Sequence, residues 1–197
     1  MYTRPPETLE ICGKSYRINT DFRVWLDFQK RTEGKTDAEI VAVVQDFLKS
    51  MGLPVNDESF KAALSFYSGG KSGKSGANAG KSAVKSVDFE KDEALIFAAF
   101  MAQYRVNLRT DILHWWDFLA MFSGLSDEHV IVKIIGIRTM DTSRMPPEQK
   151  RFYDELKQQY ALGNYTPAGR YATLEERDKA FLERIRARAK EVGQYHE

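Results

Sequence analysis

Apolar and polar residues alternate twice near the start of the chain, at Thr8-Leu9-Glu10-Ile11 and at Tyr16-Arg17-Ile18. A period of two is the mark of a half-buried strand. Cys12-Gly13-Lys14-Ser15 lies between the runs, so the pattern predicts a small β-hairpin with Gly13 supplying the turn. A lone hairpin is marginal in water and must pack on other elements. The period then changes to that of a helix. Thr20 or Asp21 caps a helix to about Arg31, with Phe22, Trp25, Leu26 and Phe28 or Gln29 as its apolar stripe, and Gly34 breaks it. Thr36-Asp37-Ala38-Glu39 is a capping box. The helix it opens carries Ile40, Val43, Val44, Phe47 and Leu48, and ends at Met51-Gly52-Leu53-Pro54. A short helix from Asn56 or Asp57 follows, with Phe60, Leu64 and Tyr67 in register.

Beyond a small, polar and basic stretch at 68–87, Asp88 is expected to open a helix lined by Phe89, Ile96, Phe97, Phe100, Met101 and Tyr104. Another begins near Thr110 or Asp111 and contains His114-Trp115-Trp116-Asp117-Phe118, with Gly124 as its C-terminal cap. Adjacent helical residues point about 100° apart, so one indole fills a core while the other aims elsewhere. Ser126-Asp127-Glu128 caps a segment with Val130, Ile131, Ile134 and Ile135, whose β-branched run permits a strand as well as a helix. Arg138-Thr139-Met140-Asp141 falls in the next connection, where Arg138 and Asp141 form a local ion pair. Pro146 and Pro147 suit the first turn of a helix bearing Phe152, Tyr153, Leu156 and Tyr160, which Gly163 stops. After a linker, a last helix starts at Thr173, with Leu174, Phe181, Ile185 and Val192 as a narrow stripe in a charged background. Such a stripe suits a surface helix or a coiled-coil-like contact.

The expected fold is therefore mostly α, with a small N-terminal β-hairpin packed on a helical domain and a C-terminal helical extension. Residues 8–162 make the domain, with 68–87 a flexible Gly/Ser/Lys loop, and 163–197 hold the linker and the amphipathic helix.

Composition narrows the chemistry. The chain has 197 residues, of which 43% are hydrophobic and 29% charged, with a formal net charge of +1. No bulk field draws it to nucleic acid or to an anionic membrane. The C-terminal basic residues alternate with acidic ones, which reads as a solvated face and not a phosphate-tracking stripe. No apolar run approaches the roughly 20 residues of a membrane span, and Met1 to Pro6 lack a secretory pattern. A single cysteine, Cys12, permits no disulfide framework and no thiolate zinc site. Gly70-Lys71-Ser72, Gly73-Lys74-Ser75 and Gly80-Lys81-Ser82 each imitate the end of a phosphate-binding loop. That motif requires a glycine where this chain has Ser65, Ser68 and Ser75, so all three fail. The histidines, His114, His129 and His196, form no metal-ligating spacing, and Asp92-Glu93, Asp127-Glu128 and Glu175-Glu176 sit in first turns of helices where the dipole accounts for them. Cys12 is read as an inert small residue. The expectation is a non-enzymatic protein with no catalytic residue, cofactor or metal.

Taken together, His114-Trp115-Trp116-Asp117-Phe118, Gly124-Leu125-Ser126, Lys133-Ile134-Ile135-Gly136-Ile137-Arg138-Thr139-Met140-Asp141 and the Tyr160-Ala161-Leu162 ending resemble the bacteriophage "gene product fifteen" family of tail-region proteins. The resemblance spans about residues 8–162. Ile137 stands where the family often has an aromatic residue, and the 68–87 loop and the helix beyond Thr173 look like additions. The resemblance implies a tail-module gene of a siphophage or prophage and a tail assembly chaperone in the bacterial host cytoplasm. Such a chaperone binds the tape-measure protein before the tube polymerises. The tail tube protein and a second copy of the chain are further candidate partners. A structural virion component, a tail connector or completion protein, is the alternative. A binder of amphipathic helices needs apolar anchors. The candidates are Trp115, Trp116, Phe118, Met121 and Phe122, with Phe181 and Ile185 in the last helix; the competing reading places the tryptophan block wholly in the core.

Overall fold

The computed structural model describes residues 4–70 and 86–162. The chain divides into two compact units, Met1–Gly136 and Ile137–Glu197.

The first unit opens with the expected hairpin. Strands β1 (Thr8–Ile11) and β2 (Lys14–Arg17) pair antiparallel, from Thr8↔Arg17 to Ile11↔Lys14. The two turn residues, Cys12 and Gly13, have φ of 49° and 71°. Positive φ at both positions is what a type I′ turn needs to match the strand twist, and only glycine adopts it freely. Leu9 and Ile11 point into the core, and β1 packs against α3.

Helix α1 (Phe22–Thr32) is capped by Asp21, whose Oδ1 accepts from the Arg23 N–H at 2.9 Å. Phe22, Trp25 and Phe28 recur at helical spacing and are buried. Helix α2 (Asp37–Ser50) carries the complete capping box: the Thr36 N–H donates to Glu39 at 2.9 Å, and the Glu39 N–H donates to the Thr36 hydroxyl at 3.5 Å. These bonds hold the Glu39 carboxyl below its ordinary pKa. Val44, Phe47 and Leu48 bury the inner face of α2.

Helix α3 (Asp57–Tyr67), capped by Asn56, packs the expected Phe60 and Tyr67 against the core but not Leu64. Ser59, Ala63 and Phe66 face the core, while Leu64 is about half exposed. Small residues win the inner face because β1 and α2 both pack against this helix. The Ser59 hydroxyl remains satisfied by donating to Asn56 Oδ1 at 3.0 Å. Phe66 then reaches Trp25, with ring centres 4.7 Å apart.

Helix α4 (Glu93–Tyr104) starts later than Asp88. Asp88 caps a preceding turn instead, accepting from the N–H groups of Glu90 and Lys91. Helix α5 (Trp115–Ser123) also starts late, with His114 as its N-cap in place of Thr110 or Asp111. Those two residues belong to a turn closed by Asn107, whose carbonyl accepts from both of their N–H groups. The run at 130–135 is helical: α6 spans Val130–Thr139, with Ile131 and Ile134 buried. A strand there would need a sheet partner, and the hairpin is the only sheet among the described residues.

In the second unit, Arg138 and Thr139 end α6 and do not lie in the connection. Arg138 is buried and donates from Nε to the Tyr160 carbonyl at 2.6 Å. Asp141 accepts from the Ser143 N–H at 2.9 Å, which lowers its pKa, so the expected Arg138–Asp141 pair gives way to two separate backbone contacts. Helix α7 (Pro147–Gln159) begins at the predicted prolines and presents an exposed Phe152. It ends at Tyr160, before Gly163. The linker, the last helix with Phe181 and Ile185, and residues 71–85 of the glycine-lysine-serine loop lie outside the described residues.

Candidate partner-binding surface

Two backbone bonds place the N-termini of α1 and α5 side by side. The Phe22 N–H donates to the Leu113 carbonyl at 3.1 Å, and the Trp115 N–H donates to the Thr20 carbonyl at 2.7 Å. Asp21 and His114, the two caps, face each other across this short antiparallel bridge. His114 is thus held extended, with φ −65° and ψ 142°, and α5 begins at Trp115.

His114 uses both ring nitrogens. Nδ1 accepts from the Trp116 N–H at 3.0 Å, and Nε2 lies 3.1 Å from the Pro6 carbonyl. A carbonyl only accepts, so Nε2 carries the proton and the ring is the neutral tautomer. In this arrangement neither nitrogen is open to a metal or a substrate proton. His129 Nε2 meets Gln103 Oε1 at 2.9 Å. Among the described residues, no three or more His, Cys, Asp or Glu side chains gather as a metal site.

The two indoles share one task and differ in burial. Trp115 donates from Nε1 to the Tyr67 carbonyl, and Trp116 to the Phe66 carbonyl, each at 2.8 Å. These are consecutive acceptors at the C-terminus of α3, where helical carbonyls lose their own partners. The tryptophan pair therefore caps α3. Trp115 is 2% exposed, with the Tyr67 ring stacked on it at 5.6 Å. Burial pushes the Tyr67 phenol above its ordinary pKa. Trp116 is half-buried against Gly70. Phe118 is 1% exposed and stacks on Phe22, Phe100 and Trp115 with centres 4.7, 5.4 and 5.8 Å away. Met121 and Phe122 remain partly accessible. Of the residues expected to bind a partner, then, Trp115 and Phe118 are core, and Trp116, Met121 and Phe122 reach the surface.

Two features escaped the sequence pattern. Gly70, with φ of +70°, lies so close to Trp116 that a Cβ there would sit 2.7 Å from the indole Cη2. A glycine inside a solvated-looking Gly/Ser/Lys run carried no sign of this. Gly34 has a similar φ of +69° and nothing within 4 Å. Gly34→Ala is expected to cost about 1 kcal/mol of backbone strain, and Gly70→Ala about 1–3 kcal/mol more, as read from urea denaturation midpoints. Equal costs would refute the close approach.

The second feature is a pocket of about 370 Å³ between α1, α4 and α5. Phe22, Ile96 and Phe118 form its floor and Arg23, Glu93 and Arg109 flank it. The stripe of α1 and that of α4 were visible as helical periodicity, but their joint concavity depends on tertiary packing.

Cys12 is exposed and its thiol donates to Glu58 Oε2 at 3.0 Å. That bond, desolvation and the Glu58 charge raise the thiol pKa, while the hydrogen bonds from the Cys12 thiol and backbone N–H lower that of Glu58. The thiolate is the nucleophile, so Glu58 lowers the reactivity of the exposed Cys12 thiol. Glu58→Gln removes the charge and is expected to speed iodoacetamide alkylation of Cys12 severalfold at pH 8. An unchanged rate would show that Glu58 does not control the thiol.

With this geometry established, the comparisons with known proteins add one positive finding. The family model described as Bacteriophage Gp15 protein matches residues 3–162. Neither the curated proteins nor the solved structures give a match.

Proposed function

The chain belongs to the bacteriophage Gp15 family, and from that premise we propose that it is a non-enzymatic tail assembly chaperone that binds the tape-measure protein during tail morphogenesis. The supporting observation is the fate of the tryptophan block. Both indole N–H groups cap α3 and both nitrogens of His114 are hydrogen-bonded, while Trp116, Met121 and Phe122 stay accessible. A frame of this kind presents apolar side chains on rigid helices, which is what recognition of another amphipathic helix requires. In this reading the protein acts in the host cytoplasm and keeps the apolar tape measure soluble until tube subunits enclose it. No described helix is long and apolar enough to cross a membrane.

Co-expression with the tape-measure product of the same phage tests the proposal. The expected result is a soluble complex that survives affinity and size-exclusion steps. A tape-measure protein that stays equally insoluble and unbound with or without the chain overturns it.

A further inference from the structure

We propose that the pocket above Phe118, together with the adjoining 107–112 loop, is the anchor site for one amphipathic helix of the partner, which inserts a large apolar side chain and sets a carboxylate one turn away against Arg109. This inference rests on the partner reading given above and assigns it a place.

Three observations carry it. The pocket holds about 370 Å³ and its floor is aromatic and aliphatic core, so it excludes a charged group and accepts a bulky apolar one.

The wall beside it is built in advance. Arg23 Nη2 donates to the Leu108 carbonyl at 2.7 Å and to the Asp111 carbonyl at 3.0 Å, while Nη1 holds Asp21 at 2.9 Å. Asp111 Oδ2 closes the loop on the Asn107 N–H at 2.8 Å. The next residue, Ile112, is 90% exposed. An isoleucine held in solvent by so firmly tied a loop is a preformed contact, with its ordering entropy already spent on folding.

The charges at the mouth are unequal in their commitments. Arg23 is consumed by the wall. Arg109 stacks on the Phe97 ring at 4.6 Å and meets Glu93 at 3.8 Å from Nε, with both side chains about two-thirds exposed. So long and wet a pair holds little energy. Among the described residues the Arg109 Nη fork has no other acceptor, and a fork of this shape takes a carboxylate in bidentate fashion. Apolar floor, exposed isoleucine and available guanidinium together match a helix with apolar residues three or four apart and an acidic neighbour.

Ile112→Ser and Arg109→Glu test the assignment, because both side chains are exposed and neither supports the core. The full chain is titrated with labelled peptides that tile the tape-measure product of the same phage, and the intact product is co-expressed in parallel. The expected result is that the tightest peptides are amphipathic and acidic, that each substitution weakens them about tenfold or more, and that Lys30→Ala, on the exposed side of α1, leaves them unchanged. Amide shifts on binding should centre on residues 93–97 and 108–112. If both variants retain intact tape-measure protein as wild type does, the pocket assignment is overturned while the chaperone reading stands. If wild type fails to bind it at all, both fall. A self-associated dimer that Ile112→Ser dissolves also overturns the assignment, since a second copy then fills the site.

Discussion

Trp25→Ala is expected to destabilise the chain by about 3–5 kcal/mol, the range for emptying a large aromatic site in a packed core. Trp25 is fully buried on α1 and sits where three helices meet. Its ring centre lies 4.7 Å from Phe66 on α3, 5.1 Å from Phe47 on α2 and 6.2 Å from Phe28 on its own helix. Its Nε1 donates to the Asn19 carbonyl at 2.9 Å, which fixes the segment leading into α1. Removal leaves a cavity with walls on separate elements, and none of them can move in without breaking contacts elsewhere. For a domain whose whole stability is about 5–15 kcal/mol, that loss is a large share. Urea denaturation followed by circular dichroism should show the midpoint falling steeply at an unchanged slope. A loss below about 1 kcal/mol would mean the three-helix junction is not the core.

The second large effect separates the two adjacent tryptophans. Trp115→Ala should cost about 3–5 kcal/mol and Trp116→Ala roughly half of that, because only Trp115 is fully enclosed. Phenylalanine substitutions sharpen the contrast. Trp115→Phe leaves the Tyr67 carbonyl without its donor, and a buried orphan acceptor costs about 1–3 kcal/mol. After Trp116→Phe the Phe66 carbonyl still accepts from the Gly69 N–H at 3.0 Å, so the loss is smaller. The same denaturation series reads all four variants. Equal costs for the two phenylalanine variants would refute the division of labour.

Local signals carried far into this fold. The hairpin, the Asp21, Thr36 and Asn56 caps, and the stripes of α1 and α2 follow from short-range periodicity and hydrogen-bonding chemistry, and all are present. The start of α5 departs from the local capping signal, because Thr110 and Asp111 are strong capping residues by type, whereas His114 is not. What decided the boundary was a pairing with Thr20 and Phe22, about ninety residues away in sequence, which no local pattern contains. The exposure of Leu64 on α3 has a similar origin. Leu64 is the more hydrophobic choice, but close packing of β1 and α2 favours Ser59 and Ala63 on the inside. The tryptophan block was legible as a keystone, and its partner at the C-terminus of α3 was not. The pocket belongs to the same class of feature, since its floor draws on α1, α4 and α5 at once.

The functional reading has one direct discriminator. A chaperone of the tape measure works before the tube is complete and leaves, whereas a connector or completion protein stays. Quantitative mass spectrometry of purified mature particles, set against the infected-cell lysate, distinguishes the two. The account predicts that the tape-measure and tube proteins are recovered from particles at constant ratio, while this chain is abundant in the lysate and missing from the particles. A fixed number of copies per particle, retained through repeated gradient purification, would contradict the chaperone assignment and make the chain a structural component of the virion.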